Sequence, residues 1–261
     1  AEYNKQKLSN VQGLDDRCYF EAGNEALVID LDGIRVGLSI GLDILHKGPA
    51  ALSKEAGAQV IFNLNASPFH IETMHNKDVV LYKRATENSV PILCVNTVGG
   101  QDERVYEGGS LALTSKGAKA YQAPWYEKGL HYVDFTCHSG FDHMGEEAYL
   151  VEPIVDKISP NLSVESHLYQ ALVLGLSDYV KKNHFEGVIL TLREGLESSL
   201  ALVIAVDALG AEKVNLVVYP DTFKSQDALD KLLRLAANLG VKDHNVELSH
   251  IMEALKCSLP T

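Results

Sequence analysis

Ala26-Leu-Val-Ile-Asp-Leu-Asp-Gly-Ile-Arg-Val-Gly-Leu-Ser-Ile40 decides how the first half of this chain folds. Two runs of Val, Ile and Leu flank Asp32-Gly33. That dipeptide suits a two-residue type I′ turn, whose central residues both need positive φ. The stretch therefore predicts a β-hairpin. Beyond it, Pro49 in a first helical turn and Gly57 at the far end bracket a helix. Gln59 to Asn65 reads as a buried strand, Lys77 to Asn88 as a helix and Pro91 to Val98 as another strand. A glycine-rich loop, Gly99 to Gly109, precedes a hairpin around Lys116-Gly117, and Tyr132 to Phe135 closes this half as a short strand.

Residues 136–162 are dominated by Gly, Pro, Ser, His and acids, which predicts a linker or irregular arm. From Val164 the pattern is helical, with Leu168, Ala171, Leu172, Gly175, Leu176 and Tyr179 on one face. Strand Gly187–Leu192, loop Arg193–Glu197, helix Ser198–Leu209, strand Val214–Pro220 and helix Ser225–Leu239 follow. Strand–helix alternation of this kind predicts a parallel, doubly wound sheet. The reading divides the chain into residues 1–135, an arm over 136–162, and residues 163–261.

Composition narrows the function classes. At 261 residues the chain is one large domain or two ordinary ones, and 46% hydrophobic with 22% charged residues excludes wholesale disorder. Lys plus Arg number 23 against 35 Asp plus Glu, a net charge of −12. That balance argues against nucleic acid or an anionic membrane as a partner. Cys18, Cys94, Cys137 and Cys257 show no CxxC spacing and are too sparse for a disulfide scaffold, which points to a reducing intracellular compartment and not to secretion. No apolar run reaches the roughly 18 residues of a membrane span, and no signal-peptide pattern opens the chain at Ala1.

Longer strings carry a resemblance. Val95-Asn-Thr-Val-Gly-Gly-Gln-Asp-Glu103 with Gly108-Gly-Ser110, Asn65-Ala-Ser-Pro-Phe69, and Lys5-Gln-Lys-Leu-Ser-Asn10 with Asp15-Asp16 resemble the glutamine-amidase domain of glutamine-dependent NAD⁺ synthetase. Tyr169-Gln-Ala-Leu-Val-Leu-Gly-Leu176, Asp178-Tyr-Val180 and Ala205-Val-Asp-Ala-Leu-Gly210 resemble the start of that family's synthetase domain. The resemblance implies an α/β fold: a partial nitrilase-like α-β-β-α sandwich, then a partial doubly wound α/β domain of the adenine-nucleotide alpha-hydrolase-like type. It also implies a middle segment with both flanks absent. In that family the first domain hydrolyses glutamine with a Cys-Lys-Glu triad and passes ammonia on. The second adenylates deamido-NAD and lets ammonia displace AMP.

At the sites the chain departs from the family's strings. Ile40-Gly41-Leu42-Asp43 stands where the resemblance implies Ile-Cys-Glu-Asp, with the spacing to His46, Gly48 and Pro49 unchanged. Gly41 thus replaces the nucleophile, and without a thiolate no acyl-enzyme forms. Cys94, in an apolar strand, and Cys18, beside Tyr19-Phe20, read as structural thiols. Lys5 matches the family's lysine and, without its partners, reads as a surface charge. Gln101-Asp102-Glu103 is intact and reads as carboxylates that shape a loop. Arg193-Glu-Gly-Leu-Glu-Ser198 replaces the phosphate-wrapping Ser-Gly-Gly-Ile-Asp-Ser, and only Gly195 and Ser198 agree. Glu194 puts a carboxylate where phosphate oxygens belong; two like charges at ~4 Å repel by about 4 kcal/mol at an effective dielectric near 20. Glu197 is one methylene longer than the Asp it replaces. Tyr219-Pro-Asp-Thr-Phe-Lys-Ser225 departs from a Pro-Ser-Arg-type string at Asp221 and Lys224, while Pro220 and Ser225 remain as strand end and helix cap. Cys137-His138 with Asp142-His143, and His70 with Glu72 and His75, lack zinc-motif spacing. No metal and no cofactor is expected.

The altered sites predict a non-catalytic relative of the synthetase, retained as a structural subunit of a larger protein assembly or homo-oligomer. The alternatives are a glutamine-dependent NAD⁺ synthetase and a nucleotide-binding sensor.

Overall fold

The chain divides into two units, residues 1–99 with 104–164 and residues 100–103 with 165–261. The computed structural model describes residues 2–11, 14–71, 74–141, 147–193, 195–220, 223 and 225–258.

In the first unit a short ribbon, β1 (Asn10–Val11) with β2 (Leu14–Asp15), precedes the hairpin of β3 (Leu27–Leu31) and β4 (Ile34–Ile40). Asp32 and Gly33 stand at φ 52° and 86°, as a type I′ turn requires. The chain continues through α1 (Lys47–Glu55), β5 (Val60–Asn65), α2 (Met74–Asn88) and β6 (Ile92–Asn96). Next come β7 (Val98–Gln101), whose residues Gly100 and Gln101 belong to the second unit, and β8 (Arg104–Glu107), paired with each other, then β9 (Leu111–Leu113) and β10 (Lys119–Gln122). Pairing between β7 and β8 corrects the loop expected over Gly99–Gly109. Glycine-rich strands show no apolar alternation, so periodicity does not reveal them.

Six strands form one sheet in the order β10-β9-β6-β5-β4-β3, with β4, β5 and β6 parallel. Its alternate residues Ile61, Ile92, Cys94, Leu111 and Leu113 cluster with Ala50, Leu81, Ala85 and Val90 around α1 and α2. On the opposite face Leu38, Phe62 and Leu93 align in register, and the next row, Ile40, Leu64 and Val95, is exposed. β11 (Phe135–Phe141) and β12 (Glu147–Pro153) pair antiparallel over their whole length. Much of the stretch expected to be irregular is therefore a ribbon, and Phe135 alone of Tyr132–Phe135 is in a strand. The partners of these residues lie on the far side of the ribbon's tip, where a local reading does not reach.

The second unit alternates as expected: α3 (Val164–Lys182), β13 (Val188–Leu192), α4 (Leu196–Leu209), β14 (Val214–Val218), α5 (Gln226–Leu239), β15 (Lys242–Asn245) and α6 (Leu248–Ser258). The three strands are parallel in the order β13-β14-β15. Leu192, Leu216 and Val218 pack with Val180, Leu202, Leu229 and Leu232, each such side chain contributing about 1.5–3 kcal/mol by burial. Ser225 caps α5 by accepting from Ala228 N at 3.2 Å, and Gly240 ends it at φ 73°. α3 holds Gly100 from two sides. Asp178 Oδ2 accepts from Gly100 N at 2.9 Å, and Lys182 Nζ donates to Gly100 O at 2.5 Å. A Cβ on Gly100 would stand 3.2 Å from Gly175 Cα, tighter than ordinary van der Waals contact, so the approach leaves little room for a side chain at Gly100.

Candidate functional site

β4 ends at Ile40, and Gly41 turns the chain at φ 57° into a 3-10 turn, Gly41–Leu45, that leads into α1. The left-handed backbone suits glycine, and any other residue there carries strain. Asn63 of β5 steadies the elbow, its Nδ2 donating to Gly41 O and Ser39 Oγ, both at 3.2 Å. A Cβ on Gly41 would stand 3.7 Å from Lys5 Cε and 3.8 Å from Lys5 Nζ. The structure thus brings Lys5 and position 41 together.

Lys5 is a paired cation and not the surface charge expected. Its side chain is 25% exposed, and Nζ meets Asp16 Oδ2 at 2.5 Å. Ser9 N donates to the same oxygen at 2.9 Å. The Lys5 ammonium, with help from that N–H, holds the Asp16 carboxyl below the usual carboxylate range. Asp43 is wholly buried behind the elbow. Its Oδ2 accepts from Tyr3 Oη at 2.7 Å and Gln6 N at 2.9 Å, and its Oδ1 from Lys7 N at 2.6 Å. Burial beside this carboxylate pushes the Tyr3 phenol up. Sequence reasoning missed the work of Asp16 and Asp43, although both lie in the quoted strings.

Neither Cys94 nor Cys18 stands in for a nucleophile at position 41. Cys94 is buried, its Sγ donating to Asn63 Oδ1 at 3.3 Å, and burial pushes the thiol up to about 11. Cys18 is exposed, and the Asp15 carboxylate raises its thiol. Both stay protonated at neutral pH. Cys94 also lines a cavity of about 40 Å³ with Asn65, Lys77, Asn96 and Glu107. Lys77 Nζ lies 3.5 Å from Glu107 Oε1, while burial raises the Glu107 carboxyl. A space of this size, lined by apolar as well as polar groups, suits one or a few waters held by its polar side chains. Gln101-Asp102-Glu103 forms the turn between β7 and β8, with Asp102 at φ 54° and Gln101 Oε1 3.1 Å from Lys182 Nζ.

In the second unit Gly195 opens α4 at φ 148° and ψ 160°. Arg193 N donates to Ser198 Oγ at 3.3 Å, and Ser199 Oγ donates to Gly195 O at 3.3 Å. Arg193 and Glu197 are exposed. A Cβ on Gly195 would stand 3.1 Å from Glu197 Oε2, so that carboxylate curls back over the turn. The loop and the helix start sit at the carboxyl end of β13, where such sheets bind ligands. Glu194, Asp221 and Lys224 lie outside the described residues, as do Glu72, Asp142, His143 and the side chain of His75. Among the described residues no group of three or more His, Cys, Asp and Glu could hold a metal ion, and no helix is long and apolar enough to cross a membrane.

Residues 1–139 match the carbon-nitrogen hydrolase family model, and residues 168–260 match that of NAD synthase. The chain is 34% identical to glutamine-dependent NAD(+) synthetase of Aquifex aeolicus, over 97% of this chain and 48% of that protein. With the enzyme of that name from Acinetobacter baylyi it shares 31%, over 97% of this chain and 46% of the relative. A solved structure of glutamine-dependent NAD+ synthetase from Acinetobacter baumannii in complex with ADP superposes with a TM-score of 0.88 at 31% identity, covering 98% of this chain and 47% of that one. The chain spans about half the length of the curated relatives it matches. These findings correct the expectation that the chain is not an enzyme. The relatives that align along almost all of it are named synthetases, and nothing positive marks this chain as a non-catalytic subunit. Two altered site strings were too narrow a basis for that expectation, because they speak for a few side chains and not for the backbone that carries them.

Proposed function

We infer function from the premise that the chain belongs to the carbon-nitrogen hydrolase family and continues into an NAD synthase segment. The reading is an enzyme of NAD⁺ synthesis that amidates deamido-NAD at the expense of ATP. The single observation that carries it is the alignment with named synthetases along 97% of the chain, through both units. In this reaction the deamido-NAD carboxylate attacks the α-phosphorus of ATP and expels pyrophosphate. Ammonia then attacks the acyl-adenylate carbonyl, and AMP leaves. The turn at Gly195, at the carboxyl end of β13, is the element proposed to face the nucleotide, and Ser198 closes it.

Gly41 bears on the nitrogen source. Glutamine hydrolysis at the elbow would need a thiolate there, and Cys94 and Cys18 are held as thiols. The proposal is therefore that nitrogen enters as free ammonia. The test is NAD⁺ formation by the purified protein from deamido-NAD and magnesium ATP, with ammonium or glutamine as donor. NAD⁺ from ammonium, and none from glutamine above the donor-free blank, is the expected result. No NAD⁺ from either donor overturns the enzyme reading. Equal turnover of glutamine overturns the assignment of the nitrogen source.

A further inference from the structure

We infer that Asp43 is the positioning residue of the elbow, the group that sets the Lys5 ammonium beside position 41. The inference rests on family membership and on the pairing of Lys5 with position 41, and it does not depend on the nitrogen donor. Three donors converge on the Asp43 carboxylate, and they bracket Lys5 in sequence. Tyr3 Oη lies at 2.7 Å, Gln6 N at 2.9 Å and Lys7 N at 2.6 Å. The two N–H groups take one carboxylate oxygen each, so the peptides just after Lys5 are fixed in direction as well as in place. Asp43 in turn is held by the turn that begins at Gly41, since His46 N donates to Asp43 O at 3.0 Å. One side chain therefore ties the segment that carries Lys5 to the turn that carries position 41. Asp16 holds the Lys5 ammonium itself at 2.5 Å and neutralises it, whereas Asp43 acts on the backbone that carries Lys5. Asp43 is wholly buried and touches no space at the Gly41 Cβ position, so it acts through Lys5 and not on a substrate.

A reporter thiol tests this. Gly41→Cys in the full chain places a sulfur next to the Lys5 ammonium, and iodoacetamide alkylation is followed against pH by peptide mass spectrometry. In that reaction the thiolate forms a C–S bond and iodide leaves, so the rate follows the thiolate fraction. Exposed Cys257 is the internal reference. An ammonium within about 4–6 Å lowers a thiol by about 1–3 units, and the Asp16 carboxylate behind it takes part of this back. A midpoint about one unit below that of Cys257, or about tenfold faster alkylation at pH 7, is expected. Adding Asp43→Asn, which keeps the shape and removes the charge that holds both N–H groups, should return the midpoint of the introduced thiol to that of Cys257. Tyr3→Phe, which removes one of the three donors, should give an intermediate midpoint. A loss of stability alone would speed alkylation of every cysteine, buried Cys94 included, and leave the midpoints unchanged. An unchanged midpoint of the introduced thiol with Asp43→Asn overturns the inference; if that variant does not fold by circular dichroism, an unchanged midpoint with Tyr3→Phe overturns it. An introduced thiol that titrates like Cys257 with Asp43 intact overturns it too, through the Lys5 pairing. NAD⁺ formation from ammonium by the native chain is read separately, and its failure bears on the proposed function and not on this inference.

Discussion

Gly41 ends β4 and Gly195 follows β13, and each turns a strand into a helical segment with positive φ, 57° and 148°. The means differ. The elbow at Gly41 is braced from afar, with Tyr3, Gln6 and Lys7 donating to Asp43 across 40, 37 and 36 residues. Asn63 donates into Gly41 across 22. The turn at Gly195 is braced by neighbours, with Arg193 N on Ser198 Oγ across five residues and Ser199 Oγ on Gly195 O across four. A turn held by distant partners shares the cooperativity of its whole unit. A turn held by its own helix fails alone. The difference teaches that a glycine at a strand end has no fixed meaning for stability; the origin of its partners decides it.

The largest effect expected is that of Asp43→Ala. It strands three donors at once, and a buried donor without an acceptor costs about 1–3 kcal/mol. Lys7 is exposed and Tyr3 half-buried, so water recovers part of this. A loss of about 3 kcal/mol for the first unit in urea unfolding is expected. A loss under about 1 kcal/mol would show that long-range bracing is not what holds the elbow.

Smaller effects separate the two glycines. Gly195→Ala meets a backbone region open almost only to glycine, at about 1–3 kcal/mol. Gly41→Ala meets the left-handed region, at about 1–2 kcal/mol, and a Cβ there has room beside Lys5. Hydrogen exchange should confine the damage of Gly195→Ala to the first turn of α4. That of Gly41→Ala should spread to residues 3–7. The reverse distribution would break the comparison.

The smallest effect is a pH profile. The folded-state pKa of Asp16 is depressed, by Lys5 first. Its contribution is present above the unfolded value near ~3.9 and is lost as pH falls through the folded value. The stability gap between the native chain and Asp16→Asn should be under about 1 kcal/mol near neutrality and vanish in acid. A gap that does not change with pH would remove the ion pair from the account of the elbow.

Much of the architecture is legible in the residues. Asp32-Gly33 marks a turn whose φ values need a particular chemistry, and the apolar runs beside it mark β3 and β4. Ser225 and Gly240 mark both ends of α5, because capping is local chemistry. Lys242-Asp-His-Asn245 is different. All four side chains are exposed and polar, so nothing in them announces a strand, yet they pair in parallel with Asn215–Val218. Backbone hydrogen bonds made β15, and the backbone carries no sequence signal.

The site divides along the same line. The strings around Lys5, Gly41 and Gly195 marked candidate positions through their resemblance to the family's strings, against which the missing thiol is visible in one letter. Only the tertiary structure decided that Lys5 is paired with Asp16, that Asp43 gathers three donors, and that Cys94 is sealed against Asn63. These contacts are mostly made across 31 to 40 residues, by polar groups that any surface would accept equally well. A carboxylate looks the same in sequence whether it faces water or a buried amide. It acquires its role only when the sheet closes and removes the water that would otherwise have bound it.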